Sequence, residues 1–316
     1  MTSPDYSKQG YKEIVTSLEN SVLSITINRA KYRNTFSIEL FDDLVHIFDL
    51  ADRDDSVRAI ILTAEPTAPA FCSGADISGG WDVLWKEESE KEGEHAHRDT
   101  GGMLSLVIYR CRKITIAAVN GNAAGVGMTA LHLPFDFRFV WAGAKLTFPF
   151  FAAGSILKVR LLTNHNLTLN LFPSNVTYLL PRLIGHSRAT SLLLTGMTVS
   201  PDSPYIQSLY HQILPTRSEV YPAAKAFATE LVANSSQMAV AYTKGLLQHP
   251  GNSIEENHLL DSRVIKLLAS SVDGAEGAKS FKERRVPKFT GVLSKDSSPW
   301  YPWWHRVDVR HLKTKL

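Results

Sequence analysis

Three features of the 316-residue sequence predict an α/β fold. Short buried strands alternate with amphipathic helices over the first half of the chain. Two small-residue turns, Phe71-Cys72-Ser73-Gly74-Ala75-Asp76-Ile77 and Asn120-Gly121-Asn122-Ala123-Ala124-Gly125-Val126-Gly127-Met128, each read as a strand end that opens a helix. From about residue 187 onward the pattern becomes almost wholly helical. Alternating strands and helices imply α/β layering, and the later run of helices implies a tail appended to that core.

Each element has its own signal. Residues 22–28 alternate apolar and polar, as a half-buried strand does. Residues 37–51 place Leu40, Phe41, Leu44, Val45, Ile47 and Phe48 on one helical stripe. Ala59-Ile60-Ile61-Leu62 reads as a short buried strand feeding a Pro-, Thr- and Ala-rich loop over 63–69. Residues 114–119 and 137–140 are further buried strands. Residues 87–97 are dense in Glu, Lys and His, which fits a solvated face or a flap following the first turn. In the second half, 219–234, 253–268 and 273–284 carry the clearest helical periods. No internal repeat is present.

Composition narrows the function classes. Apolar residues make up 44 % and charged residues 21 %, values of an ordinary soluble globular chain. The net charge of +3 is too mild for a nucleic-acid partner, and no basic-aromatic stripe supports one; it suits an anionic small ligand. The two cysteines, Cys72 and Cys111, are far apart with no metal-ligand spacing and read as reduced structural thiols. No apolar run reaches the roughly 18 residues of a membrane span, and the N-terminus lacks a signal-peptide core. No metal, redox cofactor or membrane partner is therefore expected.

The chemistry is expected at the two turns. A strand that ends in small residues and opens a helix presents backbone N–H groups to an anion. Two such turns facing one point make an oxyanion hole, the device that stabilises an enolate or a tetrahedral oxygen.

Taken in order, four motifs resemble the crotonase, or enoyl-CoA hydratase/isomerase, superfamily. They are Ile27-Asn28-Arg29-Ala30-Lys31 with Asn34, then 71–77, then 119–128 with Asp136, then Leu180-Pro181-Arg182-Leu183-Ile184-Gly185. The resemblance runs from about residue 12 to 295 and is nearest to fungal-type peroxisomal isomerases. It implies a stack of ββα turns with a helical C-terminal trimerisation region. A core over 1–200, a helical oligomerisation region over 201–295 and a tail over 296–316 are expected. It also implies an acyl-CoA substrate, with CoA entering as part of the substrate, and a homotrimer or hexamer. The oxyanion amides would be those of Ala75 and Val126. The CoA thioester would lie against Ser73, Gly74, Ala75, Asp76, Ile77 and Gly125, with Lys31 and Arg33 near its phosphates.

The chain departs from the resemblance at the acids. Hydratases of the superfamily use two glutamates, one to activate water and one to protonate carbon. Phe150 aligns with the first, and an apolar residue there cannot orient water. Isomerases need one base in an apolar pocket. That base is expected upstream of Pro181, yet no acid occurs between Ala144 and Ile184. Residues 157–172 read as an insertion without a period of 2 or 3.6. Three readings stand: an unspliced intron translated into the chain, a real insertion with the base lost, or a base from Glu87, Glu88 or Glu94 of the flap. An isomerase leads, with a hydratase and a non-catalytic acyl-CoA binder as alternatives.

Two C-terminal features remain. Pro299-Trp300-Tyr301-Pro302-Trp303-Trp304 reads as aromatic packing, often between subunits, or as an acyl-pocket wall. Thr314-Lys315-Leu316 differs by one methyl from the Ser-Lys-Leu peroxisomal address, which predicts a peroxisomal location and import receptor.

Overall fold

The computed structural model of the chain describes residues 4–78, 98–148 and 174–309. The expected flap at 87–97, Phe150, the segment 157–172 and the terminal tripeptide lie outside the described residues.

Within them, strands β1 (Ile14–Glu19), β2 (Val22–Ile27), β3 (Ala59–Ala64), β4 (Ile114–Val119), β6 (Phe137–Trp141) and β9 (Gln212–Leu214) form one sheet. Its spatial order is β1-β2-β3-β4-β6-β9, antiparallel between β1 and β2 and parallel elsewhere. A small second sheet joins β5 (Ala123–Ala124), β7 (Leu146–Thr147) and β8 (Thr198–Val199). The helices are α1 (Ile38–Arg53), α2 (Thr100–Arg110), α3 (Val126–Thr129), α4 (Val176–Ile184), α5 (His186–Thr195), α6 (Arg217–Asn234), α7 (Gln237–Gln248), α8 (Ile254–Ala269), α9 (Val272–Glu283) and α10 (Leu293–Asp296).

The all-apolar strands are buried on both faces, as parallel strands with helices on either side must be. Alternation sends Ile60, Leu62, Ala64, Ala117 and Val119 to one core, which α1 covers with Leu40, Phe41, Leu44, Ile47, Phe48 and Ala51. Ala59, Ile61, Ile114, Ile116 and Ala118 face the other way, onto α6. That helix presents Val220, Ala224, Ala228 and Val232 at four-residue spacing. Three of these four are fully buried and two are alanines, so the helix backbone approaches the sheet closely. Side chains cap the helix starts: the Ser37 hydroxyl accepts the Leu40 N–H (3.1 Å), and the Glu219 carboxylate accepts the Thr216 N–H (3.0 Å).

The α/β reading holds, and the predicted strands and helices are present within a few residues of the expected bounds. Two differences are instructive. The region after residue 187 is not wholly helical, because β8 and β9 lie within it and β9 extends the main sheet. The core sheet therefore continues past residue 200. Strand β9 is only three residues long and flanked by polar side chains, too little for a period-2 signal. Strand β1 was also not anticipated; its Ile14, Thr16 and Leu18 alternate only weakly, and pairing with β2 supplies the rest.

The aromatic tail packs against helix α7 of its own chain. Tyr242 of α7 meets Trp300 (5.5 Å between centroids) and Tyr301 (4.6 Å), and Trp304 stacks on His249 at 4.0 Å. Gly245 makes room, since a Cβ there would lie 2.8 Å from the Trp303 ring.

The close helix-to-sheet contact gives a first prediction. Ala228→Leu inserts three carbons into a filled interface and should cost about 1–3 kcal/mol, read as a lower denaturation midpoint with an unchanged slope.

Candidate active site

The two turns predicted to carry the chemistry are held together by backbone. Cys72 pairs with Ala123 in a parallel bridge. The Phe71 N–H donates to the Asn122 carbonyl (2.9 Å), and the Ala124 N–H donates to the Cys72 carbonyl (3.0 Å). Gly127 sits directly on this junction: a Cβ there would lie 2.6 Å from the Cys72 carbonyl oxygen and 2.9 Å from its Cβ. Glycine at 127 is required by that approach.

Each turn aims one amide. Phe36 bridges Ala75, with the Phe36 N–H donating to the Gly74 carbonyl (2.8 Å) and the Asp76 N–H donating to the Phe36 carbonyl (2.9 Å). In such a ladder the residue between the bonded groups turns its own N–H away from the partner strand. Gly74 makes the bend at φ +109. On the second turn Gly125 adopts φ +54, ψ −120, a conformation that glycine alone enters without strain. Val126 then opens α3, and the N–H of a first helical residue has no intrahelical acceptor. Both residues are buried, Ala75 at 4 % and Val126 at 2 % exposure. A short helix N-terminus and a turn residue thus each lie in a dry environment, where oriented dipoles act most strongly.

A charged network fixes the first turn from behind. Arg29 pairs with Glu13 and with Asp76 (2.8 Å to its Oδ2), and it also donates to Thr35. Asp76 accepts further hydrogen bonds from the Ser78 N–H (3.1 Å) and hydroxyl (2.7 Å). Burial alone would push the Asp76 pKa up, but the bonds from Ser78 and Arg29 outweigh it and hold it below the usual value. The Asp76 carboxylate is therefore engaged in positioning its own turn. The Asn34 amide adds a strut, donating to the Ala70 carbonyl (2.8 Å) while accepting the Arg29 N–H (3.0 Å).

The remaining expected residues fall around this frame. Lys31 and Arg33 are exposed cations on the loop that docks on the first turn, where the Ser73 N–H donates to the Arg33 carbonyl (3.3 Å). Ser73 and Ile77 are part-buried beside Gly74 and Asp76. Cys72 and Cys111 are buried free thiols whose pKa values burial pushes up to about 12, so neither acts as a nucleophile.

Several residues around the site were not singled out from sequence. Thr129 lies one turn beyond Val126 and is fully buried, with no partner for its hydroxyl among the described residues. His132 is also fully buried and packs edge-on to Tyr210 at 5.4 Å; burial, reinforced by Arg138, brings its pKa down to about 3 and keeps it neutral. Arg138 reaches from β6 and donates to the carbonyls of His132 (3.0 Å), Leu133 and Phe135 (2.6 Å). The sequence signal for these is weak, since a polar residue in an apolar run does not reveal its partner.

The comparisons with known proteins bear on this geometry. Residues 17–292 match the enoyl-CoA hydratase/isomerase family. The chain belongs to that family. It is 34 % identical to the enoyl-CoA hydratase AFT3-1 of Alternaria alternata, over 88 % of this chain and 86 % of that protein. It is 28 % identical to the 1,2-epoxyphenylacetyl-CoA isomerase of Escherichia coli, over 88 % and 98 %. The crystal structure of an enoyl-CoA hydratase from Bacillus anthracis superposes with a TM-score of 0.70 at 25 % identity, covering 88 % of this chain and 99 % of that one. The four motifs thus identified the family and its fold correctly.

The Asp76 network titrates with a defined sign. Its folded-state pKa is depressed, so its stabilisation is present above the unfolded value near 3.9 and is lost as pH falls through the folded value. Asp76→Asn should lower stability by roughly 1–3 kcal/mol at neutral pH. The gap between the two proteins should close as pH drops below about 4, as measured by denaturant unfolding at a series of pH values.

Proposed function

We propose that the chain is an enoyl-CoA isomerase that moves a double bond through an enolate held by the amides of Ala75 and Val126. The observation that carries this is the pairing of the two turns: Gly125 and Gly74 aim two backbone dipoles from segments locked together at Cys72, Ala123 and Gly127. The thioester oxygen gains negative charge when an α or γ proton leaves, and preoriented donors favour that state over the neutral carbonyl. The proton then returns at the other end of the dienolate. Chemistry of this kind uses no metal or redox cofactor. Lys31 and Arg33, exposed beside the first turn, suit the CoA phosphates by charge pairing.

One feature favours isomerisation over hydration: Phe150 at the aligned position of a water-activating acid. The lack of Asp or Glu between Ala144 and Ile184 removes the base expected of either enzyme from that segment. Hydration is the second reading, favoured by the hydratase name of the Alternaria relative. The base is assigned to no residue, and a binder without turnover is the outcome if none reaches the site.

Assembly as a homotrimer or hexamer is supported by apolar side chains standing in solvent on α8 and α9, notably Ile254 at 82 % and Phe281 at 86 % exposure. The Thr314-Lys315-Leu316 sequence supports a peroxisomal setting, with the import receptor as partner. Roles in fatty-acid breakdown and in acyl-derived secondary metabolism both fit the chemistry.

The deciding experiment offers the protein 3-enoyl-CoA and 2-enoyl-CoA separately. An isomerase converts the first to the conjugated 2-enoyl thioester and leaves the second unhydrated. Hydration of the 2-enoyl substrate assigns the hydratase, and binding without turnover assigns the non-catalytic homologue. Val126→Pro keeps a residue suited to a first helical position but deletes the N–H. It should lower kcat by about 10²–10³-fold while circular dichroism stays unchanged. For assembly, Phe281→Asp should shift the light-scattering mass toward that of one chain.

A further inference from the structure

Residues 304–307 lie beyond the family-matching region, which stops at residue 292. They nevertheless close one side of a cavity of about 410 Å³, lined mainly by apolar surface. Its other walls come from α2, through Ser105 and Tyr109, and from α4, through Asn175 and Leu179. That volume is in the range of small-molecule pockets, about 300–1,000 Å³.

The tail is fastened there rather than resting loosely. The Arg98 guanidinium donates to the Val309 carbonyl (2.6 Å) and that of Arg110 to the Val307 carbonyl (3.2 Å). The Trp303 indole N–H donates to the His249 carbonyl (3.1 Å), and Trp304 stacks on the His249 ring. Arg98 just before α2, Arg110 at the end of α2 and the end of α7 thus hold this segment over the cavity. The cavity wall also contains an unsatisfied donor. Ser105 is 1 % exposed, and its hydroxyl has no partner among the described residues.

Helix α2 connects this cavity to the turns. It packs on α3, whose first residue is Val126. Its Gly102 carbonyl accepts the Asn175 side-chain amide (3.0 Å), which brings the start of α4 onto the same helix. From Gly102 to Tyr109 the helix climbs roughly 10 Å at 1.5 Å per residue, the scale of a medium-length acyl chain.

We infer that the tail segment 304–307 is the far wall of the acyl-chain site and limits the length of chain the protein accepts. This rests on the acyl-CoA reading above, with the thioester at Ala75 and Val126. An apolar chain fits the mainly apolar lining. The chain length is then set by residues that the family match does not include.

Calorimetric titration of the full-length protein with saturated acyl-CoAs from butanoyl to hexadecanoyl tests this without needing turnover. Val307→Trp, at a half-exposed lining position, should fill the cavity; it should weaken dodecanoyl-CoA at least tenfold and leave butanoyl-CoA within twofold. Removing residues 304–316 should flatten the dependence on chain length. Two variants of opposite effect separate loss of the wall from loss of folding. Equal changes for short and long chains, or none, overturn the inference while leaving the acyl-CoA reading intact. If the unaltered protein binds no acyl-CoA of any length, both fall together.

Discussion

The approach of Gly127 to the Cys72 carbonyl is the contact on which the site depends. Strands β3 and β4 are adjacent and parallel, so their C-terminal ends emerge on the same edge of the sheet. Parallel pairing alone does not align the two loops that follow. The bridge between Cys72 and Ala123 does, and it forms only because position 127 has no side chain to keep the helix away. The two amide dipoles are consequently a property of one junction rather than of two independent turns. Electrostatic stabilisation by fixed dipoles is effective when they need no reorientation as charge develops, and a backbone-to-backbone junction is the stiffest way to meet that condition.

Buried charge does the remaining work of alignment. Arg29 holds Glu13 just before β1 and Asp76 in the first turn, which ties the edge of the sheet to that turn. Asp136 accepts the Thr115 N–H (2.8 Å) and the Lys244 ammonium (2.7 Å), tying β4 to α7. Arg138 is different, because it donates to backbone carbonyls in the loop that follows α3 and in the segment before β9. A desolvated cation is costly unless its donors are satisfied. The loop that presents those carbonyls is thereby confined to one shape, and α3 is anchored at its C-terminal end as Gly125 anchors its start.

The sequence was most legible where one period or one steric rule dominates. The buried strands read at 59–62 and 114–119 and the stripe on α1 are local signals, and the structure reproduces them, the first running on to Ala64. The two turns were legible because glycine and alanine in that order serve close backbone approach. Long-range partners were not. Nothing near Asp76 in the chain announces Arg29 and Glu13, and Asp76 reads equally well as a ligand contact or a strut. Its three hydrogen-bonding partners favour the strut. The aromatic run 299–304 was ambiguous for the same reason: its composition demands burial but does not name the surface. Tyr242 and His249 of the same chain provide it, so packing between subunits is not needed to explain the cluster.

That placement changes the meaning of the C-terminal region. Helix α7 carries Lys244 on the face toward Asp136 and Tyr242 and Gly245 on the face toward the tail. One helix therefore couples the core sheet to the aromatic segment, and the aromatic segment reaches onward to α2. Because α2 also packs on α3, the chain closes a loop of contacts that starts and ends at the oxyanion helix. The two turns are joined by the junction at Gly127. A tail added after the matched region can alter what lies along α2 without disturbing that junction, since no tail residue contributes to the bridge between Cys72 and Ala123. On the proposed reading, chain selection and enolate stabilisation occupy separate parts of the polypeptide, and the first can vary while the second stays fixed.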